Sequence, residues 1–216
     1  MTLDGYLLKS IEKFKSDSIV YERVKLYFEK NCAARKYAEV CKENNWEIVS
    51  DHLTVRTYNI DKAAQEYENI GFTFEERIDY RKEGWFAKVY RHPIYGAMFV
   101  DQNYDDVPED KKIIKKWVDK FGDKEFHHIA VRLPHGVEIE EVINALKEKG
   151  INFPGSVTGP KGSRLRQIFS QAEFIDGEPY SVLELAQRNN DPKTGEFYEG
   201  FINEQADSLM KDSILK

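Results

Sequence analysis

Asp51-His52-Leu53-Thr54-Val55-Arg56 and His127-His128-Ile129-Ala130-Val131-Arg132 read as one text written twice, 76 positions apart. An internal repeat of this kind constrains the fold more than any single residue does. Side chains alternate across a β-strand, so His52, Thr54 and Arg56 are expected on one face and Leu53, Val55 and Thr57 on the other. The second copy divides the same way, His128, Ala130 and Arg132 against Ile129, Val131 and Leu133. His127 then falls on the face opposite His128 if the strand is regular.

The chain downstream of each copy also repeats. After a first strand at 52–58, Asp61 to Ile70 reads as a helix stopped by Gly71. Three strand-like stretches come next, Phe72 to Tyr80, Trp85 to Arg91 and Ala97 to Gln102, separated by turns at 82–84 and 93–96. An amphipathic helix from Pro108 to Phe121 connects to the second copy at 127–133. There Val137 to Lys149 is a helix stopped by Gly150, and Ile151 to Val157, Arg164 to Phe174 and Tyr180 to Gln187 supply three more strands. Both halves are therefore βαβββ units.

These units are flanked by helical and polar chain. Leu7, Ile11 and Phe14, then Val20, Val24 and Phe28, recur at three- and four-residue spacings and predict a helical N-terminal extension over 1–50. The first unit and its connecting helix occupy 51–122, the second unit 123–190, and 191–216 is expected to fold back as a brace or lid carrying Phe197, Tyr198, Phe201 and Ile202. The fold class is α+β, two paired βαβββ units forming a small β-barrel.

If the units pair about a pseudo-twofold axis, His52 and His128 converge on the concave surface. Glu184 stands in the middle of an apolar strand, Ser181-Val182-Leu183-Glu184-Leu185-Ala186, where a carboxylate without a partner is costly to bury. A metal ion removes that cost. The matching stretch of the first unit, Ala97-Met98-Phe99-Val100, offers no ligand, and only a shifted register would bring in Asp101. Two histidines and one carboxylate form the facial triad of non-haem Fe(II) oxygen chemistry. Taken singly, each histidine reads as a satisfied core residue and Glu184 as the partner of an arginine; the duplication favours the metal site. Arg166 and Gln167 are adjacent, so at most one of them lines the barrel on a regular strand; Gln167, which shares its face with Leu165 and Phe169, is the expected one, with the loop Lys161 to Arg166 able to reach in from the rim. His92 and His135 fall in turns and are expected to face solvent.

Composition narrows the partners. A net charge of −6 with scattered Lys and Arg leaves no basic stripe for nucleic acid, and the chain lacks an apolar run of membrane-spanning length or a secretory signal at 1–10, which predicts a cytoplasmic protein. Cys32 and Cys41 fall in one helical stretch, roughly 13 Å apart along its axis, too far for a disulfide, and are read as reduced structural thiols.

With those residues in view, the paired units resemble the vicinal oxygen chelate superfamily of glyoxalases and extradiol dioxygenases, over roughly residues 50–190. Within it, Asp51 to Thr57, Arg164-Leu165-Arg166-Gln167 and the tail Gly200 to Asp207 resemble the 2-oxoadipate dioxygenase/decarboxylase family, although this chain is shorter than its bacterial members. The resemblance implies Fe(II) held by His52, His128 and Glu184, with Zn, Ni or Mn as substitutes on purification. It implies conversion of a 2-oxo acid and dioxygen to a 2-hydroxy acid and CO2, with Arg56 binding substrate. Arg166 and Gln167 are further substrate-binding candidates, and the protein is expected as a monomer or homodimer. The competing readings are a metal-dependent, glyoxalase-like lyase or isomerase, which usually places a carboxylate in each unit, and a metal-free binding module.

Overall fold

The computed structural model describes residues 2, 3, 5–7, 19–191, 193–197, 199–202 and 209. Ile11, Phe14, Tyr198 and the tail motif beyond Ile202 lie outside the described residues. Two helices, α1 (Ile19–Lys30) and α2 (Cys32–Glu43), precede the sheet. The first unit comes next as β1 (Val49–Arg56), α3 (Ile60–Glu68), β2 (Thr73–Tyr80), β3 (Trp85–His92) and β4 (Gly96–Asn103). A 3-10 turn (Glu109–Lys111) and α4 (Ile113–Phe121) lead to β5 (Glu125–Arg132), α5 (Ile139–Glu148), β6 (Leu165–Phe169), β7 (Glu173–Ile175) and β8 (Glu178–Arg188).

The strands form one mixed sheet in the order β2-β3-β4-β1-β5-β8-β6, with β7 paired to β8. It curls into a half-barrel; among the described residues β2 and β6 end the sheet without meeting, so the barrel expected from sequence stays open. The architecture is α+β with a helical N-terminal part, as the sequence predicts. At its centre β1 and β5 run antiparallel, and each lies parallel to the last strand of its own unit, β4 or β8.

Alternation sorts the two faces. Leu53, Val55, Ile129, Val131, Leu183 and Leu185 are buried on the convex side with the helices. Ala87, Val89, Ala97 and Trp85 line the concave side, where Ile114, Trp117 and Val118 of α4 pack against them. The N-terminal helices cover the back of the second unit, and the Tyr27 hydroxyl donates to the carbonyl of Val182 on β8. Asn31 breaks the two helices apart: its backbone is extended (φ −96, ψ 109), its side-chain oxygen accepts from Ala34 N, and its amide donates to Ser181 Oγ at 3.0 Å. Cys32 is exposed and Cys41 buried, both free thiols, and burial pushes Cys41 up to about 12.

Three expectations change. Residues 151–157 make no strand; Pro154 has no amide to donate and Gly155 no side chain to pack. The nearest ladder contacts are Thr158 with Gln167, through hydrogen bonds of 2.8 and 3.0 Å, and the Gln171 amide donating to the Asn152 carbonyl at 2.7 Å. The strand expected over 164–174 divides after Phe169 because Ser170 Oγ takes the amide of Leu183. The connecting helix starts at Ile113 rather than at Pro108: Asn103 caps it, accepting from Lys115 N at 2.7 Å and donating to the Lys111 carbonyl at 3.0 Å. None of the described helices is long and apolar enough to cross a membrane.

Asn31 joins a helix cap to a tie across to β8, so Asn31→Ala should lower stability by about 1–2 kcal/mol. Thermal melting checks this, with the midpoint falling by roughly 3–6 °C. An unchanged midpoint would show that the helix break is held by other contacts.

Candidate metal centre

His52 and Glu184 come from strands of different units, and His128 lies between them on β5. Glu184 Oε2 is 3.2 Å from His52 Nε2 and 3.3 Å from His128 Nε2, and one ligand atom from each residue lies within 4.8 Å of the others. Two donors about 2.1 Å from a common ion and about 90° apart sit roughly 3 Å from each other. The donor set therefore fits a divalent metal on one triangular face, with the sides toward the cavity left for other ligands.

The register explains why the triad has three members. His52 lies opposite Ala130, and His128 opposite Thr54, as a twofold relation between β1 and β5 requires. Glu184 pairs with Ala130, and by the same relation the first-unit residue paired with Thr54 is Phe99. A phenyl ring stands where a fourth ligand would be. Asp101 lies two residues further along β4, opposite Arg56, and is not part of the cluster.

Both strands bulge beside their histidine. The β1–β5 register skips Asp51 on one side and His127 on the other, a distortion that redirects side chains. It turns His127 toward the site instead of the opposite face predicted from regular alternation. His127 Nδ1 is 2.9 Å from His128 Nδ1, and its ring meets Trp117 and Phe169. With His128 Nε2 facing Glu184, this contact suits an Nδ1–H of His128 donating to His127. Asp51 receives the Nδ1–H of His52 at 3.1 Å, Arg132 Nε at 3.0 Å, and Arg188. Burial opposes ionisation of Asp51, but hydrogen bonds from Arg188 and His52 hold its carboxyl well below the usual carboxylate range. Gln167 donates to Glu184 Oε1, leaving Oε2 toward the histidines. Thr54 Oγ1 lies 2.9 Å from His128 Nε2.

The remaining sequence candidates separate. Gln167 lines the cavity beside Glu184. Arg166 is turned to the other face, bound to Glu140 on α5 and to Gln187 Oε1 at 3.2 Å, and does not line the cavity. Arg56 is buried with its guanidinium 5.2 Å from the Trp117 ring centre, and burial lowers it to about 10 against the pull of Asp101. It does not line the cavity. His135 is exposed, but His92 is half-buried, stacked on Tyr95 and accepting the Ile94 amide at 3.1 Å. Sequence reasoning misses the roles of Asp51, Arg132 and Arg188; the clearest signal for them is an Asp directly before a ligand histidine.

The triad opens into a cavity walled by Ile78, Tyr80, Trp85, Phe99, Phe169 and Phe201. Phe201 belongs to the C-terminal segment: its ring lies 5.4 Å from that of His52 and 4.7 Å from Phe99, and Gly200 beside it accepts from Arg188 Nη1 at 2.9 Å. Ile202 and Leu209 line the same cavity. Of this segment, the described residues Phe201, Ile202 and Leu209 thus lie at the site.

No family model matches the sequence, and no curated protein matches it. Solved structures do resemble it. A hydroxyglutarate synthase from Oryza sativa, in complex with 2-oxoadipate, gives a TM-score of 0.71 at 16% identity, covering 98% of this chain and 93% of that one. A Shewanella frigidimarina protein described as a hydrolase gives 0.68 at 18%, covering 94% and 98%. A mutant 4-hydroxymandelate synthase from Streptomyces coelicolor gives 0.60 at 16%, covering 77% and 53%. At such identities the likeness speaks for the fold alone.

The donor set makes metal binding sensitive to pH and to Gln167. Burial works against a charge on His52, but Glu184 and Asp51 outweigh it and raise its pKa to about 9. The metal-free imidazole therefore carries a proton at neutral pH, and a metal must displace it. Affinity for Zn(II) or Co(II) should rise with pH up to about 9 and then level off, with one proton released per ion in calorimetry across buffers of different ionisation enthalpy; affinity independent of pH would contradict it. Gln167→Ala should weaken metal binding by about 10–100-fold. Arg166→Ala, on the other face, should leave metal affinity unchanged and lower only the melting temperature.

Proposed function

We propose that this chain is an Fe(II)-dependent, decarboxylating dioxygenase that takes a 2-oxo acid and O2 to CO2 and a 2-hydroxy acid one carbon shorter. The observation that carries the reading is the triad of two histidines and one carboxylate with Phe99 in the fourth position. A bound Fe(II) would supply open positions for the keto and carboxylate oxygens of the substrate and for dioxygen, together with the redox chemistry that links them. Hydroxyglutarate synthase, whose structure is similar, is a complex with 2-oxoadipate, which supports a 2-oxo acid as ligand.

The chain's own residues have defined tasks in this reading. Asp51 keeps the His52 proton on Nδ1 and so presents Nε2 to the metal; Arg132 and Arg188 hold Asp51 in place. Gln167 fixes the rotation of Glu184 by occupying the oxygen turned away from the histidines. Phe99, Phe169 and Phe201 surround the triad with apolar rings that exclude bulk water. A cytoplasmic location fits a small-acid substrate of this kind. The glyoxalase-like alternative usually draws a carboxylate from the first unit, and at that position this chain has the Phe99 ring.

The test is anaerobic reconstitution with Fe(II), then measurement of O2 uptake and CO2 release on 2-oxoadipate and on shorter and aromatic 2-oxo acids. One 2-oxo acid should give coupled, equimolar O2 consumption and CO2 release, and His52→Ala or Glu184→Ala should lower the rate at least 100-fold. Tight metal binding without O2 uptake on any oxo acid would remove the dioxygenase reading in favour of the lyase or isomerase.

A further inference from the structure

Two residues of the cavity wall, Trp85 and Asp101, each hold a buried polar atom without a hydrogen-bond partner among the described residues. Trp85 Nε1 is a buried donor and Asp101 Oδ1 a buried acceptor. Both residues line the same cavity as His52, His128 and Glu184, and they are 3% and 2% exposed. Buried polar groups in native proteins are nearly always satisfied, so a donor and an acceptor left open on one wall call for a ligand group that supplies both. Register makes the two residues diagonal neighbours on one face of the sheet. Asp101 on β4 pairs with Ala87 on β3, and Trp85 lies two residues before Ala87 on the same face.

The rest of that wall is apolar or aromatic: Ile78, Tyr80, Phe99 and Phe201. Among the described residues no Lys or Arg lines the cavity. Arg56, the arginine expected from sequence to hold a substrate carboxylate, pairs in register with Asp101 across β1 and β4 and lies against Trp117 instead. A second carboxylate at the far end of a substrate would meet Asp101 with no cation among the described wall residues to balance it.

We propose that Trp85 and Asp101 form a recognition pair for the tail of the substrate, and that the pair selects a 2-oxo acid whose flat apolar tail ends in a hydroxyl group rather than in a second carboxylate. A hydroxyl accepts from Trp85 Nε1 and donates to Asp101 Oδ1 in one contact, leaving neither atom open. This inference rests on the 2-oxo acid reading of the metal centre and refines it by naming the tail. Both residues are specificity determinants; neither touches the reacting carbon in this reading.

Titration calorimetry on the Zn(II)-loaded protein, which is redox-inert, separates tail recognition from turnover. The ligands are phenylpyruvate, 4-hydroxyphenylpyruvate, 4-carboxyphenylpyruvate and 2-oxoadipate. The hydroxyl compound should bind at least tenfold tighter than phenylpyruvate, as a hydrogen bond to a buried charged group implies, and both dicarboxylates more weakly than phenylpyruvate. Trp85→Phe should bring the hydroxyl compound to within about threefold of phenylpyruvate. Asp101→Asn keeps the shape of the wall and should reduce the disadvantage of 4-carboxyphenylpyruvate. The proposal is overturned if 2-oxoadipate or 4-carboxyphenylpyruvate binds best to the wild type, if tails are not distinguished, or if the preference survives both substitutions; in each case the 2-oxo acid reading stands. Failure of all four ligands to bind removes that reading, and the tail proposal with it.

Discussion

The antiparallel pairing of β1 with β5 is the constraint on which the rest depends. It sets His52 opposite Ala130 and His128 opposite Thr54, and so brings two imidazoles to one side of one seam. A slip of one residue would turn both rings to the convex side and bring Leu53 and Ile129 into the cavity. What prevents the slip is burial. Leu53, Val55, Ile129 and Val131 are at most 1% exposed beneath the helices, and each would have to move into a polar cleft. The hydrophobic effect that drives folding therefore also brings the candidate metal ligands to one face.

The seam is reinforced by a charge network whose members come from both units. Asp51 is fully enclosed and takes bonds from His52 beside it, from Arg132 on β5 and from Arg188 at the end of β8. Buried charges are tolerable when each is paired and hydrogen-bonded, and removing one partner leaves the others stranded. Arg188 also holds the carbonyl of Gly200, so the C-terminal segment, the closing strand and the first ligand histidine share one node. The N-terminal helices reach the same strand from behind through Tyr27 and Asn31. Segments distant in sequence thus converge on β8, and the ordering of Glu184 is linked to all of them.

The repeat is readable because both copies keep a period of two, apolar toward the helices and histidine toward the cavity. The triad comes from that period and from a carboxylate placed among Val182, Leu183 and Leu185. Regular alternation is also the source of the main error. It assigns His127 to the far face, whereas a bulge brings it beside His128; a bulge depends on cross-strand partners that one strand's text does not contain. Residues 151–157 carry the strand composition of their counterpart, but Pro154 and Gly155 are enough to prevent pairing. Arg166 and Gln167 separate as adjacent strand residues must. Which of them faces inward turns on Glu140 and Gln187, which hold the guanidinium on the helix side.

The replacement of a ligand by Phe99 has a consequence for symmetry. Two related units would present a bound molecule with matching walls if their contents agreed, but here they do not. One side of the triad carries the rings of Phe99 and Phe201, and the other carries Gln167 and Phe169. A planar group held between them has two mirror-related faces, and these walls are not mirror-related, so its faces are not equivalent. A ligand group held there therefore meets different side chains on its two sides. The drift of the two repeats away from identity thus removes the rotational symmetry that would make two opposite orientations of a ligand equivalent.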